Sequence, residues 1–295
     1  MNQNVKVGFI ILNYNTWQET AQLAEKVNSF SCVDKVIVVD NLSPNGSFDE
    51  LKKIQTDDII VVCSDKNGGY SYGNNIGAKI ADGLGMDIVF VSNPDVDVEE
   101  EAIIKIVQAM VEHSEYAILS GVEYNIKGEV DLPVVWHAYS YWDDLLDCLV
   151  LTRKLQRGKK DIDLNQQPAE VVEVDLVKGS FFAVRMSDFR SVDFFDDNVF
   201  LFCEERILAK KMQDKGKKVG LLTNAIYFHN HSTSINQAYK KKSQQIALLY
   251  KARYYYNVKY NQIGLVKKWL LMLFMKLSIA EFHVIDYVRA KRYNR

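Results

Sequence analysis

The sequence predicts an α/β fold built on a doubly wound, mostly parallel sheet, with a helical C-terminal extension. Two observations carry this. Short β-rich apolar runs alternate with amphipathic helical stretches and end in turn residues over the first hundred positions, and beyond His231 the pattern is helical to the end.

Taken in order, Val7–Leu12 reads as a strand, Thr16–Phe30 as a helix, and Lys35–Val39 as a second strand closed by Asp40, Asn41, Ser43, Pro44, Asn45 and Gly46. Ile59–Cys63 and Ile88–Val91 are further strands, separated by a Gly/Asn-rich loop and the helix Asn74–Leu84. Glu99–His113 is helical by period. Residues 120–175 are less regular: a candidate strand pair, an aromatic and acidic stretch from Trp136 to Cys148, and the polar segment Arg153–Gln167, expected as loops or a partly mobile insertion. Order returns with Val171–Val184, β-like on both sides of Gly179-Ser180, then a helix over Glu204–Gly216 and a strand at Val219–Leu222.

The chain has 295 residues, 48% of them hydrophobic, with 36 Lys+Arg against 38 Asp+Glu, which argues against disorder, collagen and coiled coil. Four cysteines, Cys32, Cys63, Cys148 and Cys203, form no Cys-x-x-Cys pair and are expected as reduced thiols. The first apolar run is too short for a signal peptide, and no run of 18 uncharged apolar residues occurs, so a cytoplasmic protein without a spanning helix is expected. Charge is divided unevenly. Residues 240–295 carry a net +11 and residues 1–239 a net −13, which predicts an acidic body and a basic tail directed at an anionic partner. No nucleic-acid-binding motif accompanies that charge.

Ligands of a parallel α/β sheet bind beyond the carboxyl ends of its strands. Here those ends are polar: Asn13-Tyr14-Asn15, Asp40-Asn41, Asp65 to Gly69, and Asn93-Pro94-Asp95-Val96-Asp97. Closely spaced carboxylates repel unless a cation lies between them, and hard oxygen ligands suit Mg2+ or Mn2+, so Asp95 is a candidate metal ligand; Asp97 fits a helix start better. The segment Asn67 to Gly77 has the composition of a phosphate cradle without being a Walker loop, and also suits a plain turn. Glu204-Glu205 opens a helix, either as a solvated start or, beside a substrate, as a general base. His229 and His231 flank a strand end and are candidate metal ligands.

Together these segments resemble glycosyltransferase family 2, inverting enzymes of GT-A fold, and in particular its bacterial rhamnosyltransferase-like branch. The likeness covers about residues 5–235. Tyr14-Asn15 and Val39-Asp40-Asn41-Leu42-Ser43 match the first two strand ends, and Asn67, Gly69, Gly73, Asn75 and Gly77 match the branch's glycine pattern. Asn93-Pro94-Asp95 is similar to the Asp-x-Asp motif, and Gly179-Ser180-Phe181-Phe182 to the acceptor-side segment. Phe200 to Glu205 resembles the segment that holds the catalytic base, with Glu205 where Asp is common.

The resemblance implies a GT-A domain over residues 1–235, with a nucleotide-binding half (1–115) and an acceptor half (116–235), followed by a basic, aromatic helical region (236–295). It implies a nucleotide-sugar site at Asn13, Tyr14, Asn15, Asp40, Asn41, Asn67, Gly69, Asn75 and Asn93, with Asp40 on a pyrimidine base. Asp95 and His229 would hold Mn2+ or Mg2+, and of the catalytic residues Glu205 and Glu204, Glu205 would be the base and Glu204 would have a milder role. The implied donor is a dTDP-sugar, such as dTDP-L-rhamnose, or a UDP-sugar. The implied acceptor is lipid-linked or a polysaccharide of the bacterial cell surface. The residues leave two other readings open, a nucleotidyltransferase and an inactive nucleotide-sugar or glycan binding module. In the tail, Leu265–Arg292 intersperses Trp269, Leu270, Leu273, Phe274, Leu277 and Phe282 with Lys267, Lys268, Lys276, Arg289, Lys291 and Arg292. It is expected to lie peripherally on an anionic membrane surface, or else to pack against the catalytic domain or a second subunit as a homodimer.

Overall fold

Runs of Val and Ile with no charge inside them become the inner strands of one sheet. In this computed structural model, which describes residues 5–135, 137–149, 152, 162–164, 170–230 and 242–293, the first four strands are β1 (Val7–Asn13), β2 (Lys35–Asp40), β3 (Ile59–Cys63) and β4 (Ile88–Ser92). They pair in parallel in the order β3-β2-β1-β4. Helices cover both faces of such a sheet, so β1, β2 and β4 are buried nearly throughout, and their sequences read as continuous apolar runs.

The connecting helices are α1 (Trp17–Asn28), α2 (Ser47–Lys52), α3 (Tyr70–Gly83) and α4 (Glu100–Glu112). α3 starts four residues before the expected Asn74. Gly69, in the left-handed region at φ 86°, turns the chain into the helix, and the glycines read as a loop lie on its sheet-facing side. A Cβ at Gly73 would come 2.3 Å from Leu12 Cδ1, and one at Gly77 2.6 Å from Ile10 Cγ2. These glycines therefore let α3 lie close against β1.

Beyond β4 the sheet changes character. β5 (Val96–Val98), β6 (Tyr116–Tyr124), β7 (Val171–Val174), β8 (Phe181–Arg185) and β9 (Lys218–His229) complete, among the described residues, nine strands in the order β3-β2-β1-β4-β8-β6-β9-β5, with β7 also on β9. β8 runs antiparallel to β4 and β6, β6 is parallel to β9, and β5 and β7 are antiparallel to β9. The parallel expectation thus holds on the β3 to β4 side, and mixed pairing follows. β9 continues past the expected Leu222 because its register with β6 shifts between Ser120 and Val122 and absorbs the polar Thr223-Asn224. Beneath these strands an aromatic row joins Phe9 to Phe90 (5.7 Å between ring centroids), Phe90 to Phe181 (5.4 Å) and Phe181 to Tyr227 (4.9 Å). Such pairs contribute ~0.5–1.5 kcal/mol each beyond their buried area.

The chain forms two compact units. The first, Met1–Trp136, Asp161–Asn198 and Glu204–Ser232, holds the sheet together with α6 (Met186–Ser191) and α7 (Glu204–Gln213). The second, His137–Lys160, Val199–Cys203 and Thr233–Arg295, holds α5 (Tyr141–Asp147), α8 (Lys242–Lys259) and α9 (Leu265–Tyr293). Part of the expected loop is therefore helical: α5 carries a capping box between Ser140 and Asp143. The core of this unit includes Tyr141, Leu145, Tyr250, Leu271, Met275 and Phe282. Buried Arg253 bonds Asp147 at 2.5 Å, and Asn257 donates to Asp144 at 2.6 Å. Trp136, His231 and most of Arg153–Gln167 lie outside the described residues. Among the described residues no helix is long and apolar enough to cross a membrane.

Candidate active site

The end of β4, the start of α3 and the first turn of α7 meet at the backbone of Gly179-Ser180, where the chain enters β8. Asn93 donates its N–H to the Ser180 carbonyl (2.8 Å), and the Tyr70 hydroxyl donates to the Gly179 carbonyl (2.8 Å). Glu205, half-buried on the first turn of α7, lays its carboxylate over Gly179: a Cβ there would come 1.7 Å from Oε1. Only glycine leaves room for that carboxylate. Burial pushes the Glu205 carboxyl up from 4.5 to about 7. Burial also keeps Tyr70 well above its usual value, with Glu205 and Glu204 adding to the rise, so Tyr70 is a neutral hydroxyl here. Glu204 is buried next to it in sequence.

Ser180 leads, through Glu123, to a histidine between two carboxylates. The pairing of Val96 with His229 sets the ring beside Asp95, and the Asn230 N–H binds the Asp95 carbonyl (3.0 Å). His229 Nε2 is 3.2 Å from Asp95 Oδ1, and Nδ1 is 3.2 Å from Glu123 Oε1. Burial disfavours the imidazolium, but these two carboxylates outweigh it and raise His229 to about 9. Glu123, 2% exposed on β6, also accepts from Ser180 Oγ (2.7 Å) and Tyr227 Oη (2.8 Å), with Lys178 Nζ at 3.7 Å. Burial pushes its carboxyl up, yet hydrogen bonds from His229 and Ser180 overcome this and hold it down at about 2. Glu19 on α1 rises above the usual carboxylate value through burial and repulsion by Asp95.

A metal such as Mg2+ is commonly held by one or two protein side chains, with substrate phosphates and water completing the shell. Here His229 is held as a charged partner of two carboxylates, and a metal on Nε2 would displace the proton that faces Asp95. Among the described residues no three His, Cys, Asp or Glu side chains form a ready-made cage, but Asp95 and His229 present one oxygen and one nitrogen donor to each other, amid the charge of Glu19. Asp97 is 64% exposed by its side chain and bonded to Lys26 at 2.6 Å, which fits the start of α4 rather than a metal shell.

At the β1 and β2 ends the polar residues bind one another. Asn13 donates to Asp40 Oδ1 (2.5 Å), while Ser43 reaches both Asp40 oxygens, through Oγ (2.6 Å) and N–H (2.9 Å). Asp40 is fully buried, so its carboxylate anchors the loop after β2. Asn15 adopts φ 66° and donates its N–H to Ser43 Oγ (2.9 Å), with half-buried Tyr14 before it. Asn41 donates to Asn67 Oδ1 and to the Gly69 carbonyl, both at 3.1 Å. Asn75 stands apart: its amide brackets the backbone of Phe195, accepting its N–H (2.9 Å) and donating to its carbonyl (3.0 Å). Sequence reasoning missed Glu123, Tyr70 and Tyr227. The one available signal was a carboxylate at the end of the apolar run Tyr116–Val122.

The chain is 26% identical over 250 residues to the low-salt glycan biosynthesis hexosyltransferase Agl10 of Haloferax volcanii, covering 84% of this chain and 74% of that protein. The fold superposes on the mannosyltransferase PcManGT from Pyrobaculum calidifontis, solved with GDP-Man and Mn2+, at a TM-score of 0.59 and 12% identity, covering 96% of this chain and 76% of that one. It superposes on GalNAc-T7, solved with UDP, GalNAc and Mn2+, at a TM-score of 0.57 and 13% identity, covering 78% of this chain but only 45% of that one. The fold is GT-A. Residues 9–172 match the family model described as glycosyl transferase family 2, and the chain belongs to that family and is a glycosyltransferase.

Proposed function

We propose that this protein transfers a sugar from a pyrimidine nucleotide-sugar, a dTDP- or UDP-hexose or rhamnose, to a lipid-linked or polysaccharide acceptor, with inversion at the anomeric carbon. The observation that supports this is a chain of contacts: Glu205 lies over Gly179, and neighbouring Ser180 bonds Glu123, which holds His229 against Asp95. Asp95 and His229 would hold Mn2+ or Mg2+. When bound, the cation supplies Lewis acidity and balances the departing diphosphate. Glu123 keeps the His229 ring fixed through Nδ1, the way a carboxylate commonly orients a metal-binding imidazole.

Glu205 takes the proton from the acceptor hydroxyl, and the resulting alkoxide displaces the nucleoside diphosphate from the opposite face of the sugar. Tyr70, bound to the Gly179 carbonyl, keeps that backbone in place beneath the base. Asp40, tied to Asn13 and Ser43, shapes the loop that meets the nucleobase, and the Asn41–Asn67–Gly69 cluster shapes the start of α3. GDP-Man and UDP in the two solved neighbours support a nucleotide-sugar donor, and the hexosyltransferase relative supports a hexose.

Calorimetry with UDP- and dTDP-sugars in Mn2+ tests this reading. Asp95→Asn is expected to weaken Mn2+-dependent donor binding at least tenfold, and Glu205→Gln to leave it within about twofold. Equal donor affinity for wild type and Asp95→Asn in saturating Mn2+ would remove Asp95 from the metal site.

A further inference from the structure

α9 has two apolar sides, and only one of them is used. Leu271, Met275, Ser278 and Phe282, spaced i, i+4, i+7 and i+11, face inward and pack in the core of the second unit. On the other side Leu265, Trp269, Met272, Leu273, Leu277, Val284 and Tyr287 recur with the same helical spacing and are all exposed, Trp269 by 58% and Leu277 by 52%. The sequence reading grouped Phe274 and Phe282 with Trp269, Leu273 and Leu277; Phe282 packs inward because it shares a face with Met275 and Ser278, and Phe274 packs partly against the same core. At 1.5 Å per residue the exposed stripe runs about 33 Å.

The charges on this stripe decide what covers it. Lys276 lies within it and is exposed, and Lys291 sits over the Tyr287 ring at 4.9 Å. The helix holds two carboxylates. Glu281 projects about 40° beyond the edge of the stripe, and Asp286 accepts the Ser243 N–H at 3.0 Å. Residues 240–295 carry a net +11. A second copy docked in parallel would bring Lys276 and Lys291 against their own equivalents, and one docked antiparallel about the middle of the stripe would still set Lys276 against Lys276, whereas an anionic lipid surface takes apolar side chains and lysines together. We propose that the exposed face of α9 lies in the interface of a membrane carrying anionic lipid, with Trp269, Leu273 and Leu277 inserted and Lys276 and Lys291 on lipid phosphates. This rests on the helix alone and stands or falls separately from the sugar chemistry.

The full-length chain would be floated with vesicles of phosphatidylcholine alone and of equal parts phosphatidylcholine and phosphatidylglycerol. Binding is expected to the mixed vesicles, and high salt is expected to reduce it several-fold. Trp269→Glu/Leu273→Glu/Leu277→Glu changes only exposed positions, and with far-UV circular dichroism unchanged it is expected to drop binding to background. Lys276→Glu/Lys291→Glu is expected to remove the preference for phosphatidylglycerol. Wild type that stays unbound with both vesicles overturns the proposal, as does a folded triple variant that floats like wild type. A lipid-independent dimer in light scattering that the triple variant makes monomeric assigns the face to self-association instead.

Discussion

A carboxylate works as a general base when its proton affinity lies near the working pH. Glu205 reaches that condition by burial, which lifts it to about 7, and it occupies space that only Gly179 leaves open. Because the shift is upward, more of the group is protonated below neutrality than an ordinary carboxylate would be. The pH profile of kcat/KM is therefore expected to rise to a plateau above about pH 7, and Glu205→Gln to lose about 10²–10⁴-fold in kcat. A wild-type profile flat from pH 5 to 8 would separate Glu205 from the proton transfer. Gly179→Ala tests the same contact from the other side. Its Cβ meets the flexible end of Glu205, so the carboxylate is expected to move, with kcat falling at least tenfold while Tm changes little. Unchanged kcat would show that the base does not sit on Gly179.

Helix α3 shows what was legible in the sequence at the level of elements. Its glycine pattern was visible, but composition alone could not separate a phosphate loop from a helix packed on a strand, since both need backbone to come close. The contacts of Gly73 with Leu12 and of Gly77 with Ile10 decide for the helix. Gly77→Ala is expected to cost about 1–3 kcal/mol, read by urea denaturation, because its Cβ would come 2.6 Å from Cγ2 of buried, β-branched Ile10 on β1. No loss of stability would mean that α3 lies farther from the sheet. β1 to β4 were readable because each is a short apolar run ending in turn residues. β6 was not, since Ser120, Gly121 and Glu123 interrupt its apolar run and its partners β8 and β9 lie far away in sequence. With β6 went Glu123. Asp95 and His229, residues 134 apart, were each visible as strand-end residues, while their mutual contact depends on β5 pairing with β9.

At the scale of the whole molecule, the sheet unit carries the candidate site and the basic tail carries the exposed face of α9, so the proposed chemistry and the proposed docking can be examined independently. The relation to glycosyl transferase family 2 gives the class of reaction, a sugar transfer that releases the nucleotide part of the donor, where a nucleotidyl transfer would release pyrophosphate. The most direct measurement is to incubate the purified full-length protein with a UDP- or dTDP-sugar and a lipid-linked acceptor and to identify the phosphorus-containing product by 31P NMR. The account predicts a nucleoside diphosphate whose release requires Mn2+ or Mg2+ and acceptor together and disappears in Glu205→Gln. Release of pyrophosphate, or undiminished release of the diphosphate by Glu205→Gln, would contradict it.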